Sequence, residues 1–251
     1  MAFSGSRVGG AVAAVLAAAV VAEAAPAGAQ TPAAPTRKLA WIARVLVPTT
    51  ARTAPGAHRV VGAVGTIAEW NGGPVGLLVL DSRVDHLKRL WLRVALPRRP
   101  NGSSGWIPAD DARLSTTSYR IEIAVRSRRL RLLHRGRVVL RTRVVVGAPA
   151  TPTPQGLFAV NERVREPDPH GFLGSWALHL TAFSNVLDDY GGGPGRVAIH
   201  GRGGASFADP LGTARSHGCI RLPNSVVERL ARVAREGTPV RVVSRFGQIS
   251  R

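Results

Sequence analysis

The chain has 251 residues, enough for one or two domains, and its 28 Gly, 18 Pro and 5% aromatics suit a β-rich, turn-rich fold. A single Cys rules out an internal disulfide. The formal charge is +19, yet arginine is scattered over every segment without a basic helix or an aromatic-interleaved motif, which argues against nucleic acid as a partner and leaves a weak attraction to anionic polymers.

Met1 to Arg7 is short and basic, Val8 to Ala22 is an apolar run, and Ala27-Gly28-Ala29 offers small residues before Gln30. This is the three-part plan of a secretory signal peptide over residues 1–29. An uncleaved anchor is the alternative, although the run is alanine-rich, interrupted by Glu23, and short for a span of about 20 residues. No cysteine follows it to carry a lipid, and no other segment is apolar enough to span a membrane. Residues 30–38, rich in Pro, Ala and Thr, read as a linker.

Residues 39–115 carry short apolar runs (Trp41–Val47, Val60–Val64, Val75–Leu80, Leu90–Leu96) punctuated by Gly and Pro, the spacing of a small all-β module. Trp91–Val94 through Ser104–Pro108 resembles the end of bacterial SH3-like domains, which implies a module that accompanies wall enzymes; a plain β spacer is the other reading. Ser115–Ser118 reads as a polar joint.

The second module opens with alternating Tyr119–Val125, then Arg129–Leu133, a hairpin turn at Arg135-Gly136, and a return over Val138–Val146. Thr151-Pro152-Thr153-Pro154-Gln155-Gly156 reads as a Pro-directed turn feeding a strand. Residues 165–196 are irregular and Gly-rich, either a mobile flap or a surface loop, with a strand at Trp176–Leu180. Val197–His200 is a short buried strand that places His200 at its end, and Gly201, Gly203 and Gly204 give the following loop freedom. Ser225 and Glu228 make a capping box for a helix with Val227, Leu230, Ala231 and Ala234 on its apolar face, ended by Gly237, before a strand at Val240–Val243.

Cys219 sits in Ser216-His217-Gly218-Cys219-Ile220-Arg221-Leu222, with His200-Gly201 seventeen residues before His217. A thiolate rather than a thiol attacks carbonyls, and a nearby imidazole can take the proton. Two histidines offer two ways to do so. Cys219 as a small buried hydrophobe, or as a zinc ligand with His200 and His217, are the competing readings; the latter lacks an obvious fourth ligand.

The S-H-G-C-I-R-L block after a strand ending in I-H-G resembles the signature of the L,D-transpeptidases, or YkuD-domain proteins, which cross-link bacterial peptidoglycan. Thr151–Phe158 resembles the same family's T-P-x-G-x-F turn, and the resemblance covers about residues 118–244. It implies a mainly β fold: an SH3-like β module at 39–115, then a β-rich catalytic domain at 118–245 with one helix near its C-terminus. It implies Cys219 as nucleophile, His200 as base and His217 as a supporting group. The Gly201 carbonyl orients an imidazole, the Gly218 and Cys219 N–H groups form the oxyanion hole, and Ser216 holds the turn. Arg221 either binds a substrate carboxylate or forms a structural ion pair.

The implied partners are peptidoglycan stem peptides, with carbapenem-type inhibitors and no metal or organic cofactor, in the extracytoplasmic cell envelope. The implied reaction joins third residues of two stems through a thioester; water in place of the acceptor amine makes a carboxypeptidase. An inactive wall-binding protein and a metal-dependent envelope hydrolase are the readings from other classes.

Overall fold

The computed structural model describes residues 1–2, 31–189 and 193–247. The expected signal peptide therefore lies, beyond its first two residues, outside the described residues. No helix among those described is long and apolar enough to cross a membrane.

Residues 31–247 build two antiparallel-rich sheets. The first contains β1 (Ala40–Val45), β2 (Thr49–Arg52), β3 (Val60–Val64), β4 (Gly76–Val84), β5 (Leu90–Ala95), β6 (Ser104–Pro108) and β7 (Ala112–Thr117), ordered β3-β2-β6-β5-β4-β1-β7. Alternate residues Val45, Leu77, Val79, Leu92, Val94 and Ile107 meet in its core. The expected polar joint at Ser115–Ser118 is mostly strand: Ser115, Thr116 and Thr117 pair with Ile42, Trp41 and Ala40. Polar residues on a sheet edge look like a linker in sequence, and threonine's branched Cβ nevertheless suits the pleat.

The second sheet follows with β8 (Tyr119–Ala124), β9 (Arg129–His134), β10 (Arg137–Arg143), β11 (Val146–Gly147), β12 (Gly156–Arg165), β13 (Trp176–Phe183), β14 (Arg196–His200), β15 (Ala214–Ser216), β16 (Ile220–Arg221), α1 (Asn224–Val233) and β17 (Pro239–Val243). Its eight-stranded order is β10-β9-β8-β17-β12-β13-β14-β16, while β11 pairs with β15 apart from it. The β9–β10 turn uses Arg135 and Gly136, both at positive φ (50° and 81°), the geometry a right-twisted two-residue hairpin requires. Phe158, Leu178, Leu180, Ile199 and Ile220 fill the core, and Val227, Leu230 and Ala231 of α1 cover it.

Two expectations about α1 are corrected. The helix starts at Asn224 behind Pro223 without a side-chain cap, so Ser225 falls inside the first turn and the Ser225–Glu228 capping box does not form. It ends at Val233, four residues before Gly237, which instead turns the chain at φ +82° into β17 against Ile42 of the first sheet. Leu78 and Ala159, from the two sheets, also share a small apolar cluster, so the sheets are packed together.

Phe158 is 2% exposed. Phe158→Ala should destabilise the fold by about 3–5 kcal/mol, from lost transfer energy plus an unfilled cavity. Urea unfolding measures it, and a loss below about 1 kcal/mol would show that the second sheet repacks around the gap.

Candidate active site

The parallel pairing of β14 with β16 brings the two distant motifs together: Ile199 lies opposite Ile220 and His200 opposite Arg221. β14, flanked by β13 and β16, is buried along Val197–His200, which explains its apolar run. Cys219 immediately precedes β16. Cys219, His200, His217 and Arg221 all line one cavity of about 490 Å³, with Trp70, His179 and Arg196 on its other walls.

The nucleophile turn is held from two directions. Within it, the Ser216 hydroxyl donates to the Cys219 carbonyl (2.6 Å) and accepts from the Gly218 N–H (3.2 Å). Gly218 sits at φ +116°, where a side chain would be strained. That N–H is thus occupied by Ser216, so the oxyanion role expected of Gly218 would require this bond to yield. From outside, the Thr153 hydroxyl accepts from the Gly147 N–H (2.8 Å) and donates to the Gly218 carbonyl (2.9 Å), while the Thr151 hydroxyl donates to the Ser216 carbonyl (3.1 Å). The Thr-Pro-Thr-Pro turn, legible in sequence only as a turn, is the clamp on the cysteine loop.

His200 is 1% exposed, and its Nδ1 lies 2.8 Å from the Gly201 carbonyl. A carbonyl only accepts, so Nδ1 carries the proton and Nε2 is the basic nitrogen of the neutral ring. Gly201 also touches Asn224, whose Oδ1 would collide with any Cβ there. Asn224 in turn accepts from the Arg202 N–H (2.9 Å) and donates to the Arg202 carbonyl (3.1 Å). Arg202 also donates to the carbonyls of Phe207 and Asp209, and Gly203 bonds Ser206 in a short 3₁₀ turn. The loop between the histidines, read from its glycines as free, is bonded along much of its length; Gly203 is small because it passes against His170 and Gly171.

Arg221 adopts the ion-pair reading. It is 3% exposed, its Nη1 is 2.5 Å from Asp209, and its guanidinium lies 4.7 Å from the Phe172 ring centre. Arg221 and Cys219 both line the cavity.

The electrostatics disfavour a resting thiolate–imidazolium pair. Burial pushes His200 down to about 4, the Arg221 cation adds to this, and backbone hydrogen bonds with Gly201 and Leu173 oppose it. Burial of the sulfur pushes the Cys219 thiol up even though the residue keeps part of its surface open; a backbone hydrogen bond from Ala198 and the Arg221 charge partly reverse this. Burial thus disfavours the charged form of both groups. His217 lies exposed on the same cavity. Among the described residues no group of three or more His, Cys, Asp or Glu side chains is placed to hold a metal.

The YkuD family model, the L,D-transpeptidase catalytic domain, matches residues 118–242. A candidate L,D-transpeptidase YkuD of Bacillus licheniformis is 35% identical over 127 residues, 51% of this chain and 67% of that protein. The chain belongs to the YkuD L,D-transpeptidase family. Its Bacillus subtilis counterpart is 32% identical over the same span. Among solved structures, an Enterococcus faecium L,D-transpeptidase bearing a Cys-to-Ser substitution is similar at 27% identity and TM-score 0.37, covering 49% of each chain. The chain thus spans about half the length of that protein. The E. faecium catalytic domain acylated by ertapenem matches at 28% identity and TM-score 0.37, over 49% of this chain and 95% of that one.

The region matched, 118–242, contains Cys219, His200, His217, Ser216, Gly201, Gly218 and Arg221, of which Cys219, His200, His217 and Arg221 line the cavity. Sequence reasoning missed Thr151, Thr153, Asn224, Asp209, His179, Arg196 and Trp70. Asn224, five residues after Cys219, had a signal in its position at the helix start; Trp70 had none, because it arrives from the other sheet.

Thr153→Val keeps shape and removes the hydroxyl, leaving the Gly147 N–H and Gly218 carbonyl without it. It should cost about 1–3 kcal/mol and slow Cys219 acylation. Acylation at an unchanged rate would show that the Cys219 turn does not need the clamp.

His200 titrates near 4 in the fold and near 6.5 free, so between these values the unfolded chain binds more protons. Its contribution to stability is full above about 6.5 and is lost as pH falls toward about 4. Unfolding temperature should decline across that window, and iodoacetamide alkylation of Cys219 should rise with a midpoint above that of a free thiol. A plateau of fast alkylation at neutral pH would instead indicate a resting ion pair.

Proposed function

We propose that this protein is an exported L,D-transpeptidase of the cell envelope that joins the third residues of peptidoglycan stem peptides. Family membership supplies the general class, and the observation that carries the reading is Cys219 and the Gly201-locked His200 facing one cavity. The signal-like segment before Gln30 supports export, and the Trp91–Pro108 segment, paired as β5 and β6, supports an SH3-like wall-associated role for the first module.

In the first step the Cys219 sulfur bonds the carbonyl carbon of the third residue while its proton passes to His200 Nε2. The amide C–N bond to the terminal D-alanine then breaks, and the same proton leaves with the amine. In the second step an acceptor side-chain amine attacks the thioester, the C–S bond breaks, and the amine proton returns through His200 to the sulfur. The Cys219 N–H is the oxyanion donor of the resting geometry, joined by Gly218 if Ser216 releases it. Arg221, fixed by Asp209, favours the thiolate that develops during attack.

Cys219→Ala should abolish D-alanine release from a tetrapeptide, and His200→Ala should slow acylation more than His217→Ala, by about 10²- to 10⁴-fold. Stopped-flow acylation and intact mass after incubation with a carbapenem are the measurements. A carbapenem adduct that survives Cys219→Ala would overturn the thioester route, a reversed order of the histidine variants would exchange their roles, and release of D-alanine without cross-links would make the enzyme a carboxypeptidase.

A further inference from the structure

The cavity that Arg221 lines contains a second arginine. Arg196 opens β14, four residues before His200, and its side chain is 9% exposed. Its guanidinium carbon lies 4.9 Å from the Trp70 ring centre and 4.9 Å from that of Phe183, so two aromatic faces fix its plane. Its Nε and Nη1 are buried and have no hydrogen-bond partner among the described residues. The nearest carboxylate in an ion pair with it is the largely exposed Glu69, at 3.8 Å from Nη2, too far for a hydrogen bond. Glu162 lies close enough to act on its charge, but Glu162 Oε2 already accepts from the Trp70 and Asn71 N–H groups (2.8 and 3.2 Å) and Oε1 from Asn161.

Buried guanidinium donors left unmet are costly, and an anion from outside would satisfy them. Arg221 shares this only at Nε, which is also buried without a hydrogen-bond partner, while its Nη1 is spent on Asp209. The neighbouring His179, tilted against Trp70 at 4.1 Å between ring centres, is pushed down to about 3, chiefly by burial and then by Arg196, so it adds no cation. Arg196 is thus the cavity arginine with two unmet nitrogens and no carboxylate at hydrogen-bond distance. Trp70 reaches it from the β3–β4 loop of the first sheet, anchored to β12 through Glu162 and through Asn71 Nδ2 on the Arg163 carbonyl (3.1 Å).

We propose that Arg196 is the recognition residue for a carboxylate of the donor stem peptide, held in position by Trp70, which makes the first module a working part of the active-site wall. This rests on the stem-peptide reading above and names the group that distinguishes the substrate. The carboxylate is either the terminal one, beside the scissile bond, or a side-chain one further along the stem.

The test is calorimetric binding to the full chain carrying Cys219→Ala, which cannot turn over. Three ligands are compared: a tetrapeptide with free carboxylates, its C-terminal amide, and the same stem amidated only on its side-chain carboxylate. The Arg196-intact protein should prefer the free acid, and whichever amide loses that preference identifies the carboxylate. Adding Arg196→Gln should weaken free-acid binding about 10- to 100-fold and erase the preference. Arg196→Lys should retain part of it, and Trp70→Leu should reduce it while leaving Arg196 in place. If thermal unfolding shows that Arg196→Gln does not fold, the Lys and Trp70 variants decide: an unaltered preference in both overturns the proposal. Free-acid binding within about twofold of the parent in folded Arg196→Gln, an equal loss on all three ligands, or no binding of any tetrapeptide overturns it as well. D-alanine release by the wild-type chain separates the two levels: Arg196-dependent binding without release would sink the transpeptidase reading alone, and normal release with Arg196-independent binding would sink only this one.

Discussion

One buried hydroxyl holds the catalytic turn to the sheet. Thr153 bridges the Gly147 N–H and the Gly218 carbonyl, two backbone groups that the irregular Ser216–Cys219 loop cannot satisfy by pairing in a ladder. With Thr151 on the Ser216 carbonyl and Ala148 N–H on the same oxygen, the loop is hydrogen-bonded to a segment about 65 residues earlier in the chain. Both prolines of that segment limit its own freedom, so little conformational entropy remains to be lost when it grips the cysteine turn.

Around this clamp the site is partly buried and cationic, with Arg196 and Arg221 lining its cavity. Burial acts on Cys219 and His200 in opposite directions, raising the thiol and lowering the imidazole, and so disfavours the charged form of each. Arg221 acts on both: its charge favours the thiolate and disfavours the imidazolium. Asp209 holds that guanidinium in place, and Asp209 in turn belongs to a loop tied down by Arg202 and Asn224. The chemistry of the cysteine thus depends on residues spread from β14 to the start of α1.

The first sheet enters this network first at the β3–β4 loop. Glu162, 1% exposed on β12, accepts the backbone N–H groups of Trp70 and Asn71, and the Trp70 ring closes over His179 and Arg196. A second bridge runs through Arg99 and Asn101, whose side chains donate to the carbonyls of Leu187 and Phe183. Because the bonds from Trp70, Asn71 and Asn101 fall on β12 and β13, the strands that flank or lead to the cavity, the spatial relation of the two sheets bears directly on the shape of the site.

Much of this protein was legible in its sequence because local rules produced it. Alternation in Tyr119–Val125, the Arg135-Gly136 turn and the apolar run ending at His200 each depend on neighbours two to four residues away, and each became the expected element. The S-H-G-C-I-R-L block with I-H-G pointed to the family and to Cys219 and His200, which share one cavity, since each motif is a short contiguous stretch. Where a local rule met a competing long-range contact, the sequence misled: Asn224 is drawn to Arg202 and the helix begins there, so Ser225 and Glu228 form no box; Thr116 and Thr117 pair with β1 instead of forming a joint. The sequence by itself determined the family and which strands could form. Only the tertiary structure decided that Arg221 is paired with Asp209, that Thr153 clamps the cysteine turn, and that Trp70 stands over Arg196. Those are contacts between residues far apart in the chain, and their energies come from burial and geometry that exist only once the two sheets have packed.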